Sequence, residues 1–298
     1  MDKPGGLRPS TPGGHILISL AWIAAVVLAA ASAWFPPLLP VSVSVAVTAF
    51  GAYLARHIRF LRTLGAVERA LARGDLARAR AIAAPLLDRF PGQPLVLKAA
   101  ADVLYATGDP LSAASLYERA AKRLVRDRDI VVGLVASYAA LNKAGDARRA
   151  ASMLPGDYDV RLALAWAELV ALAGDRARGA RLADELLAEL EVEHGAERTA
   201  MANVLVAIAA AQRKDATLAR SALEAAERQH DVLEGPDRAF IGYLGGVALQ
   251  ELGLQGDARA TFTQAMAAGP DTIGEALARR ERSHIPESSG PSVNSSVD

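Results

Sequence analysis

The chain has 298 residues, with 33 acidic and 33 basic side chains and no cysteine. The balanced charge provides no net field that would favour nucleic acid. The lack of cysteine excludes disulfides, thiolate metal ligands and a cysteine nucleophile. Only five of the basic residues are Lys, which together with frequent Ala indicates a high-GC, bacterial genome. Frequent Ala and few aromatic residues favour helices over sheets.

The N-terminal region predicts a disordered tail followed by a transmembrane hairpin. Residues 1–14 are rich in Pro and Gly and predict disorder. Residues 16–35 and 38–55 are two charge-free runs separated by a Pro-rich turn. A run of about 20 apolar residues is long enough to cross a bilayer. We therefore expect residues 15–56 to form a two-helix transmembrane anchor.

The flanking charges predict how this hairpin is oriented. Arg56, Arg59 and Arg62 follow the second run, and Lys3 and Arg8 precede the first. Because basic residues stay on the cytoplasmic side, both termini and the large C-terminal region are expected in the cytoplasm. The sequence thus predicts a multi-pass protein of the bacterial inner membrane.

Two other interpretations of the apolar region remain open. One is a buried hairpin of a soluble protein. The other is a signal peptide cleaved after Ala33, against which the second apolar run argues. No Pro lies between Val41 and Arg80, so the second apolar helix could continue without a linker into the following domain.

From residue 60 onward the apolar positions recur with a helical period, interrupted by a repeated turn. Asp follows five of the six turn residues, and a small residue comes five positions after each. Gly can end a helix with positive φ, and Asp can cap the next helix. The predicted turn residues are Gly74, Gly108, Gly145, Gly174, Lys214 and Gly253.

The repeat resembles the tetratricopeptide (TPR) family, and the last copy, residues 242–270, carries most of the resemblance. Ala258 and Phe262 match the A-x3-F part of the family pattern, and Pro270 ends the second helix. The second copy has Tyr117 at the position of Phe262.

This resemblance implies an all-α solenoid, a right-handed superhelix of about six helix pairs over residues 60–282. Residues 272–282 would form a capping helix, and residues 283–298 a disordered tail. Pro85 falls inside the second helix of the first pair, where we expect a kink or an early end.

The resemblance also implies a peptide-binding groove on the concave side, lined by the first helix of each pair. A clamp for a peptide carboxylate is not expected, because residues such as Val135 and Ala139 occupy the comparable places. Counting from the turn residues gives eleven candidates for contact with a protein partner: Lys98, Asp102, Tyr105, Asn142, Lys143, Arg161, Glu168, Met201, Phe240, Tyr243 and Gln250.

No pattern in the sequence predicts catalysis, a metal or a cofactor. The densest group of possible metal ligands is Glu191, Glu193 and His194, and its spacing matches no known metal motif. There is no G-x-S-x-G elbow, and no glycine-rich loop follows a strand. We therefore predict a non-enzymatic protein with no small-molecule substrate and no nucleic-acid partner.

The predicted function is a membrane-anchored cytoplasmic TPR scaffold or adaptor. Its partners would be proteins in the groove and the lipid bilayer around residues 16–55. The alternative is a non-catalytic accessory subunit of a membrane enzyme or transporter, docked through the hairpin itself.

Overall fold

Thirteen α-helices and one turn of 3₁₀ helix make up the regular structure of residues 39–190 and 195–285, which are the residues that this computed structural model describes. Those residues contain no strand. The predicted N-terminal tail, the first predicted transmembrane run at 16–35 and the chain from residue 286 onward lie outside the described residues. So do residues 191–194.

The helices succeed each other with short connections. In chain order they are α1 (Leu39–Ala72), α2 (Leu76–Arg89), α3 (Pro94–Ala106), α4 (Pro110–Ala121), α5 (Arg128–Ala140), α6 (Ala144–Ala151), α7 (Tyr158–Val170), α8 (Arg176–Ala188), α9 (Ala196–Gln212), α10 (Ala216–Glu227), the 3₁₀ turn (His230–Val232), α11 (Gly235–Glu251), α12 (Gln255–Ala268) and α13 (Ile273–His284).

Successive helices form antiparallel pairs that stack into a solenoid. The pairs, numbered 1 to 6, are α1–α2, α3–α4, α5–α6, α7–α8, α9–α10 and α11–α12, and α13 packs on both helices of pair 6. First helices of neighbouring pairs also pack on one another, as α5 does on α7 and α9 on α11. The prediction of an all-α solenoid with a capping helix is confirmed for the described residues.

The turn inside each pair shows where the sequence prediction was right and where it was wrong. Asn142, not Gly145, is the left-handed residue of pair 3, and Gly145 lies in the first turn of α6. Asn adopts this conformation more readily than other non-glycine residues. With Asn142 in place the first three turns are 34 residues apart, which is the TPR period. The left-handed turn residues are Gly74, Gly108, Asn142, Lys214 and Gly253.

Aspartates at the start of the second helices act as N-caps, as predicted, in four pairs. Each accepts a hydrogen bond of 3.0 Å from the backbone N–H three residues further on, which satisfies a free helix donor. Pair 3 differs, because Lys143 precedes α6 and Asp146 lies inside the helix beside Arg149. The capping residues are Asp75, Asp109, Asp175 and Asp215.

Small residues let the two helices of a pair come close together. Ala113 and Ala258 are fully buried, and the rings of Tyr117 and Phe262 are buried one helical turn later. The Phe262 ring lies so close to Gly246 that no Cβ would fit there. Helix α2 continues past Pro85 to Arg89, so the expected early end is not observed.

Helix α1 joins the region of the second predicted transmembrane run, residues 38–55, to the solenoid. It is one helix of 34 residues, which confirms the predicted continuity. Its first half leaves large apolar side chains such as Val43, Val47 and Phe50 exposed. Among the described residues, no helix combines the length and the apolar character that a membrane crossing requires.

The capping helix α13 contacts pairs 2 and 3 as well as pair 6. A Cβ at Gly108 would lie 3.1 Å from the Cβ of Ala276. Arg280 donates a hydrogen bond of 3.2 Å to the carbonyl of Ala140, which is 140 residues away in sequence. The helix ends at His284, two residues into the predicted disordered tail. The concave side is therefore narrow and partly filled by the chain itself.

Candidate functional site

A cavity of about 420 Å³ opens on the concave side of the solenoid. Five first helices, α3, α5, α7, α9 and α11, contribute its walls, so only the stacked solenoid creates it. We call it the concave pocket, and its lining residues are Tyr105, Val132, Ala136, Asp159, Leu162, Ala163, Trp166, Gly195, Glu197, Arg198, Met201, Asp237, Phe240 and Ile241.

A second cavity, of about 440 Å³, continues from the first toward pair 1. It lies between Leu71 and Ala72 at the end of α1 and the segments that precede α9 and α11. We call it the outer pocket. Glu197 and Asp237 line both cavities, so the two pockets adjoin at these carboxylates, and we call the two pockets together the trough.

The floor of the concave pocket is aromatic. The rings of Trp166 and Phe240 meet edge to face, with their centroids 4.9 Å apart. Trp166 is only 1% exposed, and its indole Nε1 has no hydrogen-bond partner among the described residues. Burial raises the pKa of Tyr105, which therefore stays a neutral phenol at physiological pH.

The cationic side chain of the pocket is already engaged. Arg198 donates from Nε and Nη2 to the two carboxylate oxygens of Asp159, each at 2.8 Å. Arg128 also pairs with Asp159 and bonds Asp157 at 2.8 Å. This bidentate geometry fixes Arg198 and pairs its charge with that of Asp159.

The two carboxylates that line both pockets are not engaged. Glu197 and Asp237 have neither a hydrogen bond nor an ion pair with any side chain of the described residues. Desolvation and the charge of Asp237 raise the pKa of Glu197, with Asp159 adding to the rise and Arg198 opposing it. Desolvation raises the pKa of Asp237, with the charge of Glu234 adding to it. The trough therefore carries uncompensated negative charge.

Three of the eleven predicted groove residues line the concave pocket. They are Tyr105, Met201 and Phe240, and each comes from a different first helix. The remaining eight lie elsewhere.

Lys98 and Asp102 belong to a polar network between α3, α4 and α5. Lys98 Nζ lies 3.1 Å from Asp102 and 3.3 Å from Asp129, and the Tyr117 hydroxyl donates to Asp102 at 2.5 Å. Burial lowers the pKa of Lys98, but the two carboxylates outweigh it and the net shift is upward. Desolvation raises the pKa of Asp102 in spite of these partners.

Arg161 and Glu168 face the second helices instead of the groove. Arg161 donates from Nη1 to Glu189 at 2.9 Å. Glu168 is 0% exposed, accepts from Arg148 Nη2 at 2.6 Å, and accepts from the backbone N–H of Asp175 at 2.7 Å. These bonds link pair 3 to pair 4, and loss of Arg148 would leave the buried charge of Glu168 without its cationic partner.

Two of the other four predictions depended on a wrongly placed turn, and the remaining two lie on α11. Asn142 and Lys143 form the turn of pair 3, because that turn lies three residues before Gly145. Tyr243 is fully buried, and Gln250 is half-buried near the end of α11.

Sequence reasoning missed Trp166, Glu197 and Asp237. A signal was present, because α9 and α11 each have 17 residues where α3, α5 and α7 have 13. The additional N-terminal turn carries Glu197 in one helix and Asp237 in the other. Counting backward from Gly253 placed Tyr243 and Gln250 in the groove, but the pocket lies closer to the N-terminal end of α11.

The described residues contain no cluster of three or more His, Asp or Glu side chains that could hold a metal ion. The candidate ligands Glu191, Glu193 and His194 lie outside the described residues.

Stacked antiparallel helix pairs, with left-handed turn residues and first helices that line a concave side, define a TPR-like α-solenoid. A solved structure with this fold is a tetratricopeptide repeat protein from Parabacteroides merdae ATCC 43184, at a TM-score of 0.52. The two sequences are 14% identical, and the match covers 85% of this chain and 97% of that chain. At this identity the likeness shows the fold alone. No protein-family model and no curated protein matches the sequence.

Proposed function

We propose that this protein is a membrane-anchored adaptor that holds a protein partner in its concave pocket. The observation that carries the proposal is the pocket of about 420 Å³ that five successive first helices build. Its aromatic floor offers apolar burial, and its free carboxylates offer specificity, a combination typical of recognition sites. No catalytic role is part of the proposal.

The anchor would be the hairpin of residues 15–56, which would leave the solenoid in the cytoplasm. Supporting this, the first half of α1 exposes Val47 to 65% of its area, along with Phe50 and Leu54. A patch of exposed apolar side chains on one helix is typical of a surface that a membrane or another protein covers. The basic residues that follow, Arg59 and Arg62, fit the cytoplasmic side of a membrane.

A site-specific photo-crosslinker in the full chain, in native membranes, tests partner binding. We place it at Met201, which lines the concave pocket, and as a control at Leu218 on α10, which is exposed and outside the pocket. We expect one dominant crosslinked protein from position 201 and none of the same size from position 218. Equal products from both positions, or none from 201, would contradict the proposal.

Membrane fractionation tests the anchor separately. We expect the full chain to remain in the pellet after alkaline carbonate extraction, which removes peripheral proteins. Recovery in the supernatant would refute the anchor and leave the adaptor role of the solenoid untouched.

The apolar exposure of α1 also favours a second candidate, in which the hairpin docks on a membrane enzyme or transporter. Thr48 and Ser44 lie one turn apart on α1, and the Thr48 hydroxyl donates to the Ser44 carbonyl at 2.8 Å. Small residues on such a stripe allow a close helix–helix approach. Loss of partner recovery on replacing Ser44 and Thr48 by Leu, with no loss on changing Met201, would favour this candidate.

A further inference from the structure

We propose that the partner segment held by the trough presents a Lys or Arg side chain between apolar residues. This inference rests on the proposed function and adds the chemistry of the partner. It is carried by the charge and shape of the trough where the concave and outer pockets meet.

The first argument is charge complementarity. Glu197 and Asp237 edge both cavities, Glu234 lines the outer pocket, and none of the three side chains has an ionic partner among the described residues. Two negative charges that are close together and partly desolvated repel each other, and a bound cation would reduce this repulsion. The free protein therefore offers an anionic site that is complementary to a cationic group.

The second argument excludes an anionic ligand. Arg198 is the one Lys or Arg among the described residues that line the two cavities, and it already pairs through Nε and Nη2 with the carboxylate of Asp159, whose charge offsets its own. A phosphate or a peptide carboxylate at Arg198 would lie beside the negative charges of Asp159 and Glu197, which repel it. The trough thus selects against the acidic peptide ends that a carboxylate clamp would take.

The third argument is the aromatic floor beside the carboxylates. The half-buried rings of Phe240 and Tyr105 line the concave pocket above the buried Trp166, and the acidic edge of the pocket is Glu197 and Asp237. Aromatic faces attract Lys and Arg, and carboxylates bind their charged ends, so a long basic side chain is complementary to both. Apolar neighbours of that side chain would pack on Met201 and in the outer pocket.

The fluorescence of Trp166 provides a direct readout in the full chain. The sequence has three tryptophans, and replacing Trp22 and Trp34 by Phe leaves Trp166 as the only one. The probes are short acetylated and amidated peptides Gly-Ser-Leu-Xaa-Leu-Ser-Gly, in which Xaa is Arg, Lys, norleucine or Glu. The protein is kept in lipid nanodiscs.

We expect the Arg and Lys peptides to change Trp166 emission with a Kd at least about tenfold lower than that of the norleucine peptide. The Glu peptide should bind the weakest of the four. The variant E197Q/D237N should bind the Arg peptide no better than the norleucine peptide.

The matched control is D88N/E227Q. It removes one Asp and one Glu charge from exposed positions on α2 and α10, away from both pockets. Because the net charge changes equally, a control that retains the Arg preference assigns the effect to the trough and not to general attraction. Loss of the preference in the control would overturn the inference.

Other outcomes separate this inference from the proposed function. Crosslinking at Met201 with no preference for basic peptides, or with no peptide binding, would overturn the inference and leave the adaptor role standing. Absence of both would overturn both. A last variant, K3Q/R8Q, removes the basic residues of the N-terminal tail. If it alone made the added Arg peptide bind more tightly, the tail of the protein itself would occupy the trough, and the inference of a separate partner would be overturned.

Discussion

Pairs 2 and 3 follow the TPR period, whereas pairs 5 and 6 depart from it, and the departure builds the site. In pairs 2 and 3 the first helices have 13 residues, and the turns at Gly108 and Asn142 are 34 residues apart. In pairs 5 and 6 the first helices have 17 residues. The regular half thus provides a scaffold, and the longer helices provide a pocket wall.

Acidic residues in the first helical turn show the same contrast. An acidic residue in the first turn stabilises any helix, because its negative charge interacts favourably with the positive N-terminal end of the helix dipole. In the earlier pairs they are paired, Asp129 with Lys98 and Asp159 with Arg198. In the longer helices, Glu197 and Asp237 face the trough without a partner. The same preference for an acidic residue in the first helical turn therefore has two outcomes. In the earlier pairs the acidic residue forms ion pairs within the solenoid, and in pairs 5 and 6 it remains available for binding.

The largest effect is expected from Phe262→Ala in pair 6. Phe262 is 0% exposed and fills the space over Gly246, so its removal leaves a cavity that rigid helices cannot close. We expect a loss of about 3–5 kcal/mol in the free energy of unfolding, measured by chemical denaturation. A loss below about 1 kcal/mol would show that pair 6 is loosely packed and would remove the stable wall that the pocket needs.

Tyr117 occupies the position of Phe262 in pair 2, and Tyr117→Phe keeps its ring and removes only the hydroxyl. The hydroxyl donates to Asp102, a carboxylate whose pKa is raised by desolvation. We expect a loss of about 1.5–3 kcal/mol by the same measurement, because a hydrogen bond to a charged group disappears. No loss would mean that the polar network around Lys98 does not stabilise the regular half.

Asp215→Ala compared with Asp146→Ala tests the assignment of the turns. Asp215 caps α10 through Leu218, whereas Asp146 lies inside α6 beside Arg149. We expect a loss of about 1 kcal/mol for Asp215→Ala, the value of one N-cap, and a smaller loss for Asp146→Ala. Equal losses in thermal unfolding would support Gly145 as the turn of pair 3 and contradict Asn142.

The smallest effect is expected from E197Q/D237N, measured as stability against pH. Since the pKa of each carboxyl is raised in the folded state, its ionisation opposes folding as the pH rises. The variant should therefore be slightly more stable at pH 7, by less than about 0.5 kcal/mol. Below about pH 3 both groups are mostly protonated in the folded and unfolded chains, and the difference should vanish. Lower stability of the variant at pH 7 would contradict unpaired carboxylates in the trough.

Most of the fold followed from local signals in the sequence. Glycine turns, aspartate caps and the small residues before Tyr117 and Phe262 each act within one helix pair, so their meaning does not depend on distant contacts. The prediction failed at Asn142, because an asparagine can replace glycine in a left-handed turn and a glycine stood three residues away.

The candidate site was less predictable, because it depends on how the pairs are arranged around the concave side. Tyr105, Met201 and Phe240 were found by counting along single helices. Whether Glu168 faced the groove or the neighbouring pair depended on its bond to Arg148, which sequence spacing does not encode. The free charge of Glu197 is likewise visible only when its surroundings are known.

The bond from Arg280 to the carbonyl of Ala140 has a consequence for how this chain folds. An open repeat array can gain or lose one unit at a time, since each unit touches only its neighbours. Here the last helix contacts the second and third units, so these contacts form only when segments far apart in sequence come together. We therefore expect slower folding than for an open array of the same length, and unfolding in one cooperative step.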